Sequence, residues 1–283
     1  VEYKVPAEWK LELQTELFES LAAQGYAGIG YFPGDAVGVN STIAELKASD
    51  IPAVALGGCA LDPTDTAFCM ATDVYASAYL GTKALIEAMG GKGAVVHLAG
   101  LLVDPNTTLR VQAVEKAVAE TNGAVTLLQT LGDTDNQEQG DQKINALLAA
   151  QKDQIGGMIA TGYISSVVAA TALKNLGDKK IKLIGIDDDK IVLDGIKDGF
   201  VAGTMAQNPY GQGYIGAYAV DLLAEGCTVK ADAPFITTPQ TARFIDSGTL
   251  LINAANLESY KDDLKKLTGE LQASFKDKFL SCP

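Results

Sequence analysis

The sequence predicts an α/β fold built on parallel sheets that are covered by helices on both faces. Short apolar runs alternate with amphipathic segments of ten or more residues almost without interruption. The apolar runs are continuous rather than alternating, as in strands buried on both sides. The length of 283 residues is enough for about two domains.

The elements read in order as follows. Residues 9–23 have helical apolar spacing, 27–32 form a short strand ended by Pro33, Gly34 and Asp35, and 37–48 are helical again. Residues 52–56 read as a buried strand, and 68–71 as a strand ending at Thr72 and Asp73. A helix over 74–89 is closed by Gly90 and Gly91. Strands over 94–98, 125–129 and 158–160 then alternate with helices over 106–120, 137–154 and 164–176. The motif Gly90-Gly91-Lys92-Gly93 follows a helix and precedes a strand, the reverse of a phosphate-binding turn, and is read as a helix stop and hinge. A charged amphipathic helix over 257–279 carries Leu257, Leu264, Leu267 and Leu271 on one stripe, and is expected to dock on a lobe.

Bulk properties narrow the function. The hydrophobic fraction of 47% suits packed cores, and the net charge of −13 argues against nucleic acid, where affinity comes from neutralising phosphates. No apolar run approaches the ~20 residues that span a bilayer. Val1 opens directly into folded-looking sequence, as in a processed export product or a cytosolic protein. Four cysteines and one histidine fit no compact zinc pattern, and no metal or cofactor is expected. Cys59 and Cys69 flank a short loop, and Cys227 and Cys282 lie near a helix end and the C-terminus. They are expected to form the disulfides Cys59–Cys69 and Cys227–Cys282, which imply an oxidising compartment. His97 lies mid-strand and is read as a core histidine bonded to a neighbour.

Residues 181–223 carry the strongest functional signal. Strands over 181–186 and 202–206 each lead into a polar residue, Asp187 and Gln207, with a helix after each. Ligands of parallel sheets gather beyond the carboxyl ends of strands. A carboxylate and an amide there suit hydroxyl groups. Gly185-Ile186-Asp187, then Ala206-Gln207-Asn208 and Pro209-Tyr210 with Gly213, match a pattern of a strand ending G-[FIY]-D, a strand ending A-Q and a helix opening P-Y-x-x-G. In this the chain resembles the type I periplasmic binding proteins, the sugar-type receptors of ABC transporters, over roughly residues 1–253.

The resemblance implies two doubly wound parallel-sheet lobes joined by a three-crossing hinge. Residues 1–91 and 208–246 would form the first lobe, 92–207 and 247–253 the second, and 254–283 a helical tail. The crossings would lie near Gly91–Gly93, Gln207–Asn208 and Phe244–Gly248. It also implies that Asp73, Arg110, Asp187 and Gln207 hydrogen-bond a polyhydroxyl ligand held between the lobes. Two alternatives stand beside this: Asp73 as a helix cap and Arg110 as a structural partner of Asp187. Of Asp187, Asp188 and Asp189, the first is expected at the ligand and the other two at the start of the next helix. The chain departs from sugar receptors at three positions: Val74 stands in place of an arginine, Thr134 in place of a stacking aromatic, and Gly162 in place of an asparagine. Tyr163 beside Gly162 could supply a ring and a hydroxyl. The site residues are therefore Asp73, Arg110, Thr134, Tyr163, Asp187 and Gln207, and the ligand a sugar, polyol or similar small polar molecule.

Family members begin with a strand and a helix that this sequence lacks. Residues 1–3 resemble the second strand, 9–24 the second helix, and the sole tryptophan, Trp9, is expected to pack on that strand. The sequence is accordingly expected to be incomplete at its front. The implied function is a monomeric, periplasmic or extracellular receptor, with a lost lipid anchor left open, that hands its ligand to an ABC membrane permease. An effector-binding domain of a sugar-responsive repressor is the alternative. No nucleophile–base pair or dinucleotide fingerprint points to an enzyme.

Overall fold

The computed structural model describes residues 1–8, 10–177 and 179–283; Trp9 lies outside them. In chain order the elements are α1 (Leu11–Ala23), β1 (Ile29–Tyr31), α2 (Val39–Ala48), β2 (Ala53–Leu56), β3 (Cys69–Ala71), α3 (Val74–Ala88), β4 (Gly93–Leu98), α4 (Pro105–Ala119), β5 (Val125–Leu131), α5 (Gln137–Gln151) and β6 (Gly157–Ala160). They continue with α6 (Tyr163–Leu176), β7 (Lys182–Ile186), α7 (Lys190–Asp198), β8 (Gly203–Gln207), α8 (Pro209–Ala224), β9 (Thr228–Val229), β10 (Phe244–Asp246), β11 (Thr249–Ile252), α9 (Tyr260–Phe279) and β12 (Leu280–Ser281).

The chain divides into two compact units. The first comprises Val1–Thr72, Asn208–Gly248 and Asp262–Pro283, and the second Asp73–Gln207 and Thr249–Lys261. The first unit holds a parallel sheet in the order β1-β2-β3-β10. Successive strand side chains point to opposite faces, and the core splits accordingly. Ala53, Ala55, Cys69, Ala71 and Phe244 pack with Phe18 of α1 and Ile43 of α2. Val54, Met70 and Ile245 pack with Ile215 and Ala219 of α8 and Phe275 and Phe279 of α9. The sheet is thus covered on both faces.

The second unit holds a six-stranded sheet in the order β11-β8-β7-β6-β4-β5. It is parallel except for β11, an antiparallel edge strand that pairs with β8. One face carries Val95, Ile159, Ile184 and Met205 against Leu85 and Ile86 of α3 and Val114 and Val118 of α4. On the other, α6 packs on β6 and β7, with α5 and α7 beside it.

Two expectations are corrected. Residues 1–3 form no strand: β1 ladders only onto β2, no ladder reaches the N-terminal segment, and Val1, Tyr3 and Val5 are exposed. Gly90 and Gly91 do stop α3, at φ 74° and 77°. Yet the chain changes unit at Thr72/Asp73 rather than at 91–93, because α3 packs on α4 and on β6, β7 and β8. The tail docks on a unit, as its amphipathic pattern predicts. From Asp262 onward it belongs to the first unit, where β12 pairs antiparallel with β9 and Cys227 bonds Cys282.

Both expected disulfides are present, with S–S distances of 2.01 Å for Cys59–Cys69 and 2.03 Å for Cys227–Cys282. Among the described residues no helix is long and apolar enough to cross a membrane, and no cluster of potential ligands is placed to hold a metal.

Candidate functional site

All six ligand candidates fall in the second unit. Because β4 to β8 are parallel, their carboxyl ends share one edge of the sheet, where Asp187 and Gln207 stand at the ends of β7 and β8.

Asp187 follows β7 directly, with a left-handed backbone at φ 66°. Such a conformation is uncommon outside glycine and recurs where surrounding structure enforces it. Here the Asp187 N–H donates to the Met205 carbonyl at 2.9 Å, and its own carbonyl accepts from Thr204 Oγ1 at 2.7 Å. Both tie it to β8. Its side chain Oδ1 accepts from Gln207 Nε2 at 2.8 Å. The two residues expected from the strand-end pattern therefore meet. Burial raises the Asp187 pKa above the ordinary carboxylate value, opposed by the Gln207 hydrogen bond and by the charge of Arg110.

Arg110 sits on α4, half-buried. Burial lowers its pKa, while Asp104, Asp187 and Asp135 oppose that shift through their charge. Among the described residues no ion pair joins it to Asp187, whose Oδ1 accepts from Gln207. The guanidinium fork is thus available to an incoming acceptor.

Asp73 caps α3, accepting from the Ala76 N–H at 2.9 Å. Tyr163 opens α6, half-exposed, and donates through Oη to Asp189 Oδ2 at 2.6 Å. Asp189 also caps α7. Asp188 instead accepts from Tyr260 Oη at 2.9 Å, so only one of these two aspartates starts the helix. Thr134 is fully buried, and its hydroxyl donates to the Ala99 carbonyl at 2.7 Å. That bond fixes the β5 loop and turns the side chain away from solvent, which gives Thr134 a structural part.

Sequence reasoning missed several neighbours. Asp135 follows Thr134 and accepts from the Leu101 N–H at 2.8 Å. Asp104 caps α4 below Arg110 in sequence. Thr161, next after β6, is buried and lies 2.8 Å from His97 Nε2. Thr161 and Asp135 were findable by the strand-end rule that found Asp187. Leu101, Leu102 and Val103 form an exposed aliphatic run after β4, at 50%, 50% and 90% of full exposure. Asp133 and Asp135 hold the main chain of this run by accepting from Leu102 and Leu101.

Comparison with known proteins bears on the family and the fold. The family described as periplasmic binding protein domain matches residues 1–228. A xylitol-binding protein of Mycolicibacterium smegmatis is 27% identical over 236 residues, 82% of this chain; the chain spans 66% of that relative's length. A sugar-binding protein of a sugar ABC transporter from Bacillus halodurans superposes with a TM-score of 0.80 at 21% identity, covering 92% of this chain and 88% of that one. A solute-binding protein from Actinobacillus succinogenes with bound D-allose gives a TM-score of 0.76 at 21% identity, with coverage of 92% and 88%. An arabinose-binding protein from Geobacillus stearothermophilus gives 0.76 at 19% identity, with coverage of 89% and 84%. These likenesses show a type I periplasmic binding protein fold.

Proposed function

This chain belongs to the periplasmic binding protein domain family, and on that premise we propose that it is an extracytoplasmic receptor that captures a small polyhydroxylated ligand and delivers it to an ABC permease. The observation that carries the reading is the Asp187–Gln207 pair on adjacent strand ends, with the uncommitted Arg110 fork beside it. Aspartate accepts from hydroxyl protons, arginine donates to oxygen lone pairs, and the amide does both. Each hydroxyl of a polyol or sugar presents both a proton and lone pairs. Asp73 and Tyr163 belong to the same proposed set.

The polyol end of that class fits best. Thr134 stands in place of a stacking aromatic, and the exposed run 101–103 after β4 is aliphatic. Aliphatic groups pack against a carbon chain without requiring the flat face that stacks on an aromatic. The xylitol-binding relative points the same way. Two disulfides suit an oxidising compartment, which supports a periplasmic or extracellular site of action.

A thermal-shift screen with xylitol, D-arabinose, D-allose and related sugars and polyols tests this reading. A ligand at 100 times its Kd should add about 2.7 kcal/mol of stability and raise the melting midpoint. A flat response to every sugar and polyol would overturn it.

A further inference from the structure

His97 and Thr161 lie under the proposed site and have no part in it so far. His97 is fully buried on β4, and its Nε2 lies 2.8 Å from Thr161 Oγ1. Its Nδ1 is buried and has no hydrogen-bond partner. A neutral imidazole holds one proton, on one nitrogen or the other. A buried N–H without an acceptor is among the rarest of unsatisfied groups and carries a full desolvation penalty. The proton therefore sits on Nε2, and Nδ1 is bare. Burial, with the nearby Arg110 charge, lowers the His97 pKa to about 3 and keeps the ring neutral.

The consequence falls on Thr161. If Nε2–H donates to Thr161 Oγ1, the threonine keeps its own proton for another acceptor. Thr161 Oγ1 makes no other side-chain hydrogen bond among the described residues. Thr161 and Arg110 both line one small cavity of about 10 Å³, with Ser77, Ala78, Ile186 and Met205. That is about the room one water-sized oxygen needs. No carboxylate lines it.

Resting on the receptor reading above, we propose that Thr161 is a further ligand-binding residue, a hydroxyl donor acting with Arg110 on one ligand oxygen, and that His97 is the positioning residue that fixes its donor sense. The two donors select an oxygen presented as an acceptor. Asp187, on the neighbouring strand, selects a hydroxyl proton. The ligand is thereby read in one sense across the strand ends, lone pairs toward β6 and protons toward β7.

The single histidine makes the test direct. Nitrogen-15 NMR of imidazole-labelled protein should show Nε2 protonated and Nδ1 bare, with and without xylitol or D-arabinose. Calorimetry with the same two probes should show Thr161→Val weakening binding roughly 3- to 10-fold, the range of one neutral hydrogen bond, while Thr161→Ser restores it. The serine variant also separates loss of the hydroxyl from misfolding. A proton on Nδ1 would sink the donor assignment and leave the receptor reading standing. Equal affinities for wild type and Thr161→Val would sink it too. Failure of the wild type to bind either probe would count against the receptor reading itself, and this assignment would fall with it.

Discussion

Asp187 shows how surrounding structure fixes a single strand-end residue. Main-chain bonds to Met205 and Thr204 hold it at φ 66°, and Gln207 holds its carboxylate. None of this is visible in the residue type alone. Its position after an apolar run was visible, as was that of Gln207, because strand ends mark ligand edges whatever the fold's details. Thr134 was placed by the resemblance and not by that rule; its hydroxyl is spent on the Ala99 carbonyl, and side-chain direction in a loop cannot be read from motif position. His97 yields a prediction at this scale. Its pKa is about 3 in the folded protein, against about 6.5 in an unfolded chain. Between those values the unfolded state binds a proton that the native state does not. The stability contribution is therefore whole above pH 6.5 and is lost as pH falls toward 3, at about 1.4 kcal/mol per pH unit. Urea unfolding from pH 7 to 4 should show a shallower acid decline in His97→Gln than in the wild type. Parallel declines would show that His97 takes up no proton on unfolding.

Among the elements, α3 and α9 are the informative cases. The sequence reading found both helices to within a few residues, because apolar spacing and glycine stops are local signals. It could not say where they pack. α3 stands in the second unit because Gly81 brings it close to the sheet: a Cβ there would lie 2.9 Å from Met205 and 3.4 Å from Ile159. In α9 the leucine stripe is only half-buried, and the anchors are Phe275 and Phe279, which enter the core of the first unit with Leu280. Thr268 of the same helix bonds the buried Asn208 side chain at 3.0 Å, and Asn208 also donates to the Ser247 carbonyl at 2.8 Å. The Cys227–Cys282 bond closes a separation of 55 residues around these contacts. Loop-closure entropy at that length is worth about 4 kcal/mol. Replacing both cysteines with serine should lower the denaturant midpoint by a corresponding amount, and non-reducing thiol counting on the wild type should find no free cysteine. A midpoint unchanged by the double replacement would mean that the tail is held by packing alone.

At the scale of the whole molecule, the alternation of strands and helices predicted parallel sheets and the resemblance implied two lobes, and the structure has two compact units with such sheets. The antiparallel strand β11 and the β9–β12 pair escaped notice because two- to four-residue strands have too little pattern to show. The crossing at Gln207/Asn208 was legible through the A-Q-N-P pattern. The one at Thr72/Asp73 was not, since nothing in composition changes there. The candidate site divides in the same way. Asp73, Arg110, Asp187 and Gln207 came from motif positions, while Thr161 follows a strand end but matches no motif position, and its place beside Arg110 is what singles it out. The central proposal is that this edge of the second unit binds a small polyhydroxylated molecule through Asp187. The direct test is calorimetric titration of wild type and Asp187→Ala with xylitol and D-arabinose. We expect saturable binding of at least one of them by the wild type, and a loss in the variant of about 1.5–3 kcal/mol, or roughly 10- to 150-fold, the range for hydrogen bonds to a charged group. Equal affinity in the two proteins, or no binding by the wild type, would contradict the account.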